Sequence, residues 1–348
     1  VDDGIDRPID CKGSGIQSAI IISLFTSYCA EFHNSSSLLI AEEPELFLHP
    51  QARRVMSHEL EKFLECNDHQ RRQLIISTHS TEFIRNTNLD NIVILRKNKE
   101  QNHTKAYQLE LGDLEQDDIN KILRFIWSKN AEVFFADKVL LVEGGEEYLI
   151  PAIADTSRGE KQFLDYKNIS VARVDGKGNF ITYIKILDKL GIPWAMLGDF
   201  DCYNDQLKKM LEYNAPELLI EFETFKQKLI ATPDYQKMAK AIKNSGSLDG
   251  KKMQIVFSKV KSGNIDIEDE ELTQFIDYLE IRYSAVDIKA IIEKDAEISK
   301  QFDKFQVALQ EKGIFILSNG AIEDYYTDEA KTIDGKGKDN LALMIAYE

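Results

Sequence analysis

The amino-acid sequence predicts an α/β fold in two domains, and three observations support this prediction. At 348 residues the chain is longer than one hydrophobic core usually supports. Short apolar segments that end in acidic residues alternate with helical segments, which is the pattern of a parallel sheet flanked by helices. The alternation stops at about 206–310, where the sequence is helical and heavily charged, so we interpret this stretch as a helical insertion.

The first domain is predicted over residues 1–112, with two buried strands and a pair of edge strands. Its elements in order are a helix at 15–33, the strand SLLIAEE (37–43), a helix at about 50–66, the strand RQLIISTHS (72–80), and the edge strands NIVILRK (91–97) and KAYQLEL (105–111). Residues 113–136 form a helical connector, where we place the domain boundary.

The second domain is predicted over residues 137–348 and has the same alternation, interrupted by the insertion. Helices begin at about 146 and 180, between the first three strands. The four strands are KVLLVEGG (138–145), ISVARVDGKGN (169–179), WAMLGDFD (194–201) and GIFILSNGAIEDYY (313–326).

The bulk composition is that of a globular protein, with 43% hydrophobic and 29% charged residues. The longest apolar stretch, residues 19–30, is too short to cross a bilayer, and no signal-peptide pattern is visible, so we expect a cytoplasmic protein without a membrane partner. The four cysteines form no CxxC pair, which argues against a disulfide framework or a structural zinc site. The net charge of −16 argues against nonspecific nucleic-acid binding by the whole protein, but not against a local basic track or metal-bridged binding.

Three motifs in the first domain point to nucleotide binding. Glu42 and Glu43 end a buried strand, where one acid of a nucleotide hydrolase would hold Mg²⁺ and the next would orient the attacking water. His79 ends the following strand, in reach of a γ-phosphate. The turn CKGSGIQS (11–18) begins a helix, where backbone N–H groups suit phosphate. Each motif alone is common without nucleotide; EEPELFLHP (42–50) followed by STHS (77–80) is more specific.

In this order the motifs resemble those of the ABC-type ATPases found in SMC, RecF and OLD (overcoming lysogenisation defect) proteins. The resemblance implies that Glu42 and Glu43 are the Walker B pair, that His79 is the switch histidine, and that the signature motif comprises Gly13, Ser14, Gly15 and Gln17. Glu42 stands where aspartate is usual. No G-x-x-x-x-G-K-[ST] phosphate loop occurs, so we expect either a loop upstream of Val1 or an ATPase domain that does not hydrolyse ATP.

Paired carboxylates follow the strands of the second domain. Residues two apart on a strand face the same side, so we expect Asp199 and Asp201 to point together and Phe200 to point away. Two such charges repel unless a cation lies between them, and carboxylate oxygens suit Mg²⁺ or Mn²⁺. Acidic strand ends also occur as plain surface turns, which remains the alternative interpretation.

A second acidic pair follows the first strand of this domain. Glu143 closes the strand, and Glu147 lies four residues further, where one helical turn would let it share the same face. Because parallel strands bring their carboxyl ends to one edge, we expect both pairs to converge there. Glu323 follows the last strand and is a third contributor. The alternative is a helix N-terminus that favours acids through its dipole.

An EGxxE motif after one strand and a DxD motif after a later strand resemble the Toprim domain of topoisomerases, primases and OLD nucleases. An ABC-type ATPase fused to a Toprim domain is the OLD layout, and the Gabija nuclease subunit is similar. The resemblance implies a metal site formed by Glu143, Glu147, Asp199, Asp201 and Glu323, with VDGKGN (174–179) as the family's glycine-rich turn. The family's late lysine falls on Lys338, with Lys336 as the rival. For both lysines, the alternative interpretation is a solvated tail without a catalytic role.

The chemistry that this site implies is phosphodiester hydrolysis. Two divalent ions ~3.5–4 Å apart would activate water and stabilise the leaving oxygen. The lysine would neutralise charge that develops in the transition state. Glu143 is either a metal ligand or the general base, and Glu43 is the catalytic acid of the ATPase side.

The insertion contains a basic track followed by an acidic one. Between residues 236 and 262 there are seven lysines and one acid, and DIEDEELTQFIDYLE (266–280) has seven acids and no base. The two tracks could simply be solvated helix faces that pair with each other. The other interpretation is a contact to DNA phosphates through Lys251, Lys252, Lys259 and Lys261, together with Lys336.

Together these features predict a Mg²⁺- or Mn²⁺-dependent DNA endonuclease or nickase that is regulated by ATP at an ATPase domain. The family resemblance implies a role in bacterial defence against phage, a homodimer or higher homo-oligomer, and an accessory defence protein as a partner. Two alternatives stay open: a RecF-like DNA-repair ATPase without nuclease activity, and a Toprim topoisomerase or primase. The latter lacks a candidate domain for a nucleophilic tyrosine or a zinc ribbon in this sequence.

Overall fold

The computed structural model describes thirteen stretches of the chain, namely 8–31, 36–65, 71–98, 102–110, 116–127, 130–203, 205–236, 250–263, 272–273, 276, 288–318, 320–332 and 337–347. Backbone contacts group the chain into two units. The first comprises residues 1–137 with 182–193, and the second comprises residues 138–181 with 194–348. No helix in the described stretches is long and apolar enough to cross a membrane.

The first unit contains two small sheets with helices. Its elements are α1 (Ser14–Glu31), β1 (Ser36–Glu42), α2 (Pro50–Lys62), β2 (Arg71–Ser77), α3 (Thr81–Asn86), β3 (Val93–Asn98), β4 (His103–Gln108) and α4 (Gln116–Trp127). Strands β1 and β2 are parallel, whereas β3 and β4 form the predicted pair and are antiparallel. One face of the β1–β2 sheet packs on a cluster of Met56, Leu60 and Phe83.

The second unit is built on a four-stranded parallel sheet of order β6-β5-β7-β8. This confirms the predicted α/β class. Its elements are β5 (Lys138–Val142), α5 (Glu146–Arg158), α6 (Phe163–Tyr166), β6 (Ile169–Arg173), α7 (Phe180–Lys189, of which the residues from Thr182 on group with the first unit), β7 (Trp194–Gly198), α8 (Asp205–Asn214), α9 (Leu219–Ala231), α10 (Gly250–Lys261), α11 (Ile288–Lys294), α12 (Ala296–Glu311), β8 (Ile314–Ile316), α13 (Asp328–Lys331) and α14 (Lys338–Tyr347).

The insertion is helical in its described part, as predicted, and it forms a core of its own. Side chains from α9, α11 and α12 surround Phe200, which directly follows Asp199; the cluster consists of Phe200, Phe225, Leu229, Ile291, Ile292, Ile298 and Phe302. Phe200 is 9% exposed, so the insertion fixes the chain at the carboxyl end of β7.

The strands of the second unit are shorter than the sequence suggested. Strand β7 ends at Gly198, and Phe200–Tyr203 form a 3-10 turn. The Phe200 N–H donates to the carbonyl of Gly320 at 2.8 Å, and the Cys202 N–H donates to that of Asp199 at 3.0 Å. Because these bonds turn the chain out of the sheet, the expectation that strand alternation continues through Asp201 is wrong.

Candidate metal centre and nucleotide site

The carboxyl ends of the four parallel strands border an open pocket of about 280 Å³ in the second unit. Glu143, Asp199 and Glu323 converge there because each follows a strand, as predicted for parallel strands, whereas Asp339 comes from α14. The pocket is lined by Glu143, Gly144, Gly145, Glu146, Arg173, Asp175, Gly176, Asp199, Ile322, Glu323, Tyr326, Lys338, Asp339 and Ala342. Of the predicted metal and catalytic residues, it therefore brings together Glu143, Asp199, Glu323 and Lys338.

Among the carboxylates of this pocket, that of Asp199 has the pKa that departs furthest from its ordinary value. Burial, followed by the negative charges of Glu146 and Glu143, raises its pKa to about 7. Burial also raises the pKa of Glu143, with the charge of Asp201 adding to the effect. These half-buried acids lie close together, which favours a cation among them.

The hydrogen bonding of Glu143 and Asp199 also indicates that a cation belongs between them. Glu143 Oε2 and Asp199 Oδ1 are buried and have no hydrogen-bond partner within the described part of the chain. Buried polar atoms are rarely left unsatisfied in folded proteins, and a bound ion is one way to satisfy them. Carboxylate oxygens are the ligands that Mg²⁺ and Mn²⁺ prefer, so the residues present fit a hard divalent ion.

Asp201 lies beside this group but is exposed. Its carboxylate contacts the ammonium of Lys177, in the glycine-rich turn after β6. One ligand atom from each of Glu143, Asp201 and Cys202 lies within 4.8 Å of the others. Burial raises the pKa of the Cys202 thiol to about 12, and the nearby carboxylates add to the cost of a thiolate.

The acid that α5 contributes to the pocket is Glu146. Since α5 begins at Glu146, Glu143 precedes the helix, and the two predicted acids Glu143 and Glu147 are not one helical turn apart. Glu146 is 5% exposed, and its carboxylate accepts the Gly144 N–H at 2.7 Å. Glu147 lies instead 3.6 Å from Arg173. The sequence EGGEE contains both acids, and only the start of the helix decides between them.

Lys338 is the first residue of α14, and its Nζ lies 2.9 Å from Glu323 Oε1. The hydrogen bond to Glu323 raises the lysine's pKa, so the side chain stays charged. Its rival Lys336 lies outside the described residues. The next residue, Asp339, holds Lys338 in position, because Arg173 Nη1 donates a hydrogen bond to Asp339 Oδ2 at 2.7 Å. Arg173 was not predicted; it joins the end of β6 to the start of α14.

Helix α14 approaches α5 closely, and glycine makes this approach possible. A Cβ atom at Gly145 would lie 2.8 Å from the Cβ of Ala342. Contacts this short do not occur between real carbon atoms, so a side chain at position 145 would push α14 away. Gly145, the second glycine of EGG, therefore has a packing role in addition to the turn.

In the first unit, the predicted Walker B acids and the switch histidine lie together. Glu42 is the last residue of β1 and is paired with Ser77 of β2. Glu43 adopts a left-handed conformation (φ 42°), and its N–H donates to the Ser77 carbonyl at 2.8 Å. His79 Nε2 lies 3.6 Å from Glu43 Oε1 and is largely exposed. The imidazole is thus open to a ligand beside the acid.

Of the predicted signature residues, Gly13 precedes α1, and Ser14, Gly15 and Gln17 lie in the first turn of the helix. The Gln17 side chain donates to the carbonyls of Ile9 at 3.1 Å and Lys12 at 2.9 Å, so it holds the turn itself. A Cβ at Gly15 would lie 2.8 Å from the Phe47 carbonyl oxygen, so this helix start packs against the loop after β1.

Glu45 is a further residue that sequence reasoning missed. It is 5% exposed, and its Oε1 accepts the Thr78 hydroxyl at 2.5 Å and the His79 N–H at 3.0 Å. A carboxylate in the middle of EEPELF thus ties the loop after β1 to the loop after β2. A charged residue inside a mostly apolar run was the available signal.

The predicted DNA-binding lysines of the insertion fall only partly within the described residues. Lys259 is half-buried and Lys261 is exposed, both near the end of α10. The side chains of Lys251 and Lys252 lie outside the described residues.

The parallel sheet and its edge of carboxylates define an α/β domain suited to a divalent metal, and the β1–β2 motifs define part of a nucleotide-binding domain. Residues 134–201 match the family described as overcoming lysogenization defect protein-like, TOPRIM domain. Residues 1–84 match the AAA ATPase domain family. The predicted combination of an OLD-type Toprim domain with an ATPase domain is therefore confirmed.

Three curated relatives match just over half of the chain. The OLD nuclease of Thermus scotoductus is 29% identical over 201 residues, 56% of this chain and 37% of its own length. The Old nuclease of Escherichia phage P2 is 28% identical over 217 residues, 58% of this chain and 35% of its own length. Endonuclease GajA of Bacillus cereus is 24% identical over 224 residues, 56% of this chain and 30% of its own length. The chain thus spans about a third of the length of these relatives.

Proposed function

We propose that this chain is part of a DNA endonuclease or nickase that depends on Mg²⁺ or Mn²⁺ and is regulated by nucleotide at its ATPase domain. The observation that carries the proposal is the pair of buried, unsatisfied carboxylate oxygens on Glu143 and Asp199, in the pocket that Lys338 also lines. The names of the three relatives support a nuclease. A role in defence against phage, a cytoplasmic location, a homo-oligomeric state and an accessory protein partner belong to the same proposal.

The acidic residues at this site would bind the metal ion or act as a general base. Glu143 and Asp199 would hold the metal, with Asp201 and Glu323 beside them, and Glu147 stays a predicted ligand. A bound ion would activate a water molecule and stabilise the leaving oxygen of a phosphodiester. Glu143 would act as a metal ligand or as the general base.

Lys338 has a different role, because it is the positively charged side chain that α14 contributes to the pocket. Its charge would stabilise negative charge on the phosphate as the bond breaks. Glu323 holds the ammonium at 2.9 Å and keeps it protonated. Arg173 fixes the start of α14 through Asp339.

On the ATPase side, we propose that Glu42 and Glu43 act at Mg²⁺ and water, that His79 contacts the γ-phosphate, and that the signature turn at 13–17 contacts phosphate. We also propose the division into an ATPase domain at 1–112, a connector at 113–136 and a Toprim domain at 137–348. The lysines of α10 and Lys336 are proposed as weak contacts to DNA.

The test is nicking of supercoiled plasmid with Mn²⁺ by the wild type, Asp199→Ala and the control Asp303→Ala, whose acid is exposed on α12. We expect Asp199→Ala to lose at least about 100-fold in rate, the size seen when a charge-stabilising group is removed from an active site. The control should nick as the wild type does. Equal nicking by all three proteins would contradict the proposed role of Asp199, and no nicking by the wild type would favour a DNA-binding ATPase that does not cut. Resealed products would instead indicate a topoisomerase.

A further inference from the structure

The turn after β6 holds one lysine in a fixed position beside the acids. Lys177 begins a short 3-10 turn, Lys177–Asn179, after Gly176, whose φ of 117° is suited to glycine. The Asn179 amide donates to the carbonyls of Val174 at 2.9 Å and Asp175 at 3.2 Å. The backbone at Lys177 is therefore set by local hydrogen bonds.

Both ends of Lys177 contact the candidate metal ligands. Its ammonium contacts Asp201 Oδ2, and its backbone hydrogen-bonds to Glu143. These two acids, with Cys202, are the group whose ligand atoms lie within 4.8 Å of one another. The positive charge of Lys177 is thus placed at the carboxylates that would coordinate an ion on this side of the site.

An ammonium and a divalent ion compete for such a position. A carboxylate oxygen that accepts a hydrogen bond from Lys177 must give up that bond or share it when it coordinates an ion. The lysine stem is flexible, so its charge can move while the backbone stays in place. Asp199 differs, because its buried Oδ1 finds no donor among the described residues. The two aspartates of the DxD motif are therefore unequal: one has an unsatisfied oxygen, and the other is covered by a lysine.

We propose that Lys177 is an internal counter-ion for Asp201, which an incoming divalent ion must displace, and that the displaced ammonium then contacts the phosphate of the substrate. Lys177 thereby sets the affinity of the Asp201 side of the site for metal. The first half of the inference concerns metal binding alone; the second half rests on the proposed nuclease function.

The test for the first half is calorimetric titration of Mn²⁺ into the full chain as wild type, Lys177→Met, Lys177→Arg and Lys300→Met, the last being an exposed lysine of α12. We expect Lys177→Met to bind Mn²⁺ about 2- to 5-fold more tightly, the factor that loss of a partly exposed ion pair corresponds to. Lys177→Arg keeps the charge and should bind as the wild type does, as should Lys300→Met. Unchanged or weaker Mn²⁺ binding by Lys177→Met would overturn the inference.

Thermal melting provides a second measurement that does not require activity. Without metal, Lys177→Met should melt below the wild type, because Asp201 and Glu143 lose their counter-charge. Saturating Mn²⁺ should then raise its melting temperature by more than it raises that of the wild type. An equal rise for both proteins would also overturn the inference, even if Lys177→Met folds less stably.

The second half is tested by nicking kinetics at saturating Mn²⁺. Lys177→Met should raise KM for plasmid several-fold with a smaller change in kcat, because a phosphate contact is lost. A wild type that nicks DNA, together with a Lys177→Met variant that has an unchanged KM, would overturn the phosphate contact and leave the nuclease proposal standing. Tighter Mn²⁺ binding by the variant in a chain that never nicks would support the counter-ion and contradict the nuclease.

Discussion

Acidic residues follow apolar parallel strands in both units, yet the two groups of carboxylates are satisfied differently. After β1, Oε1 of the buried acid Glu45 receives donors from Thr78 and His79 and so joins two loops, although its Oε2 has no donor among the described residues. After β5 and β7, buried oxygens of Glu143 and Asp199 receive none from the residues that the structure describes. The same sequence pattern thus gives a structural tie in one unit and a demand for cations in the other. The difference depends on how many acids share one pocket, because Asp199 lies beside the negative charges of Glu146 and Glu143.

Removal of polar groups from the pocket should lower the rate of plasmid nicking, and the largest effect is expected at Lys338. Lys338→Ala should lower plasmid nicking by about 100-fold or more, because a charge that stabilises the transition state is lost. Its melting temperature without metal should fall slightly, because Glu323 loses its ion pair. The exposed Lys304 of α12 offers a matched control as Lys304→Ala. Equal nicking by the two alanine variants would remove Lys338 from the chemistry.

Glu45 should show the opposite behaviour, a loss of stability. Glu45→Ala leaves the Thr78 hydroxyl and the His79 N–H without their buried acceptor, and we expect the free energy of unfolding to fall by about 2–3 kcal/mol. Glu45→Gln keeps one acceptor oxygen and should lose less. Chemical denaturation measures both, with Glu65→Ala as an exposed control. If Glu45→Ala were as stable as the control, the tie between the two loops would not be structural.

The close approach of α14 to α5 gives a smaller and position-specific effect. Gly145→Ala places a Cβ 2.8 Å from Ala342, and overpacking of this kind should cost about 1–2 kcal/mol and shift Lys338. Gly144→Ala is the matched control, since its nearest atoms lie at 3.8 and 3.9 Å. Gly145→Ala should lower both the nicking rate and the free energy of unfolding, whereas Gly144→Ala should lower neither. The same loss in both variants would mean that only the turn matters.

The sequence was sufficient to predict the parallel sheet, the helical insertion and the convergence of acids at strand ends, because these follow from apolar periodicity and parallel strand geometry. It could not fix where each strand stops. Strand β7 ends at Gly198 because Phe200 is anchored in the insertion and bonded to Gly320, which are contacts distant in sequence. The choice between Glu146 and Glu147 depends on one residue in the helix start. Lys177 and Arg173 become visible only when their partners are in place.

The pKa of Asp199 gives the last and smallest predicted effect, a pH dependence of stability without metal. Its pKa is about 7 in the folded chain and about 4 when unfolded. Between these values the folded state binds a proton that the unfolded state has lost, so stability falls as pH rises through this window and the loss is complete above about pH 7. Asp199→Asn has no such charge to bury.

In EDTA, Asp199→Asn should therefore gain on the wild type by a few degrees in melting temperature when the pH is raised from 5 to 8. The comparison between the two proteins removes the titration of all groups that do not interact with Asp199. Adding Mn²⁺ at pH 8 should stabilise the wild type more than the variant, because the metal replaces the missing counter-charge of Asp199. A difference between the proteins that is the same at both pH values would show that Asp199 ionises without cost, and the acids after β5 and β7 would then need no cation.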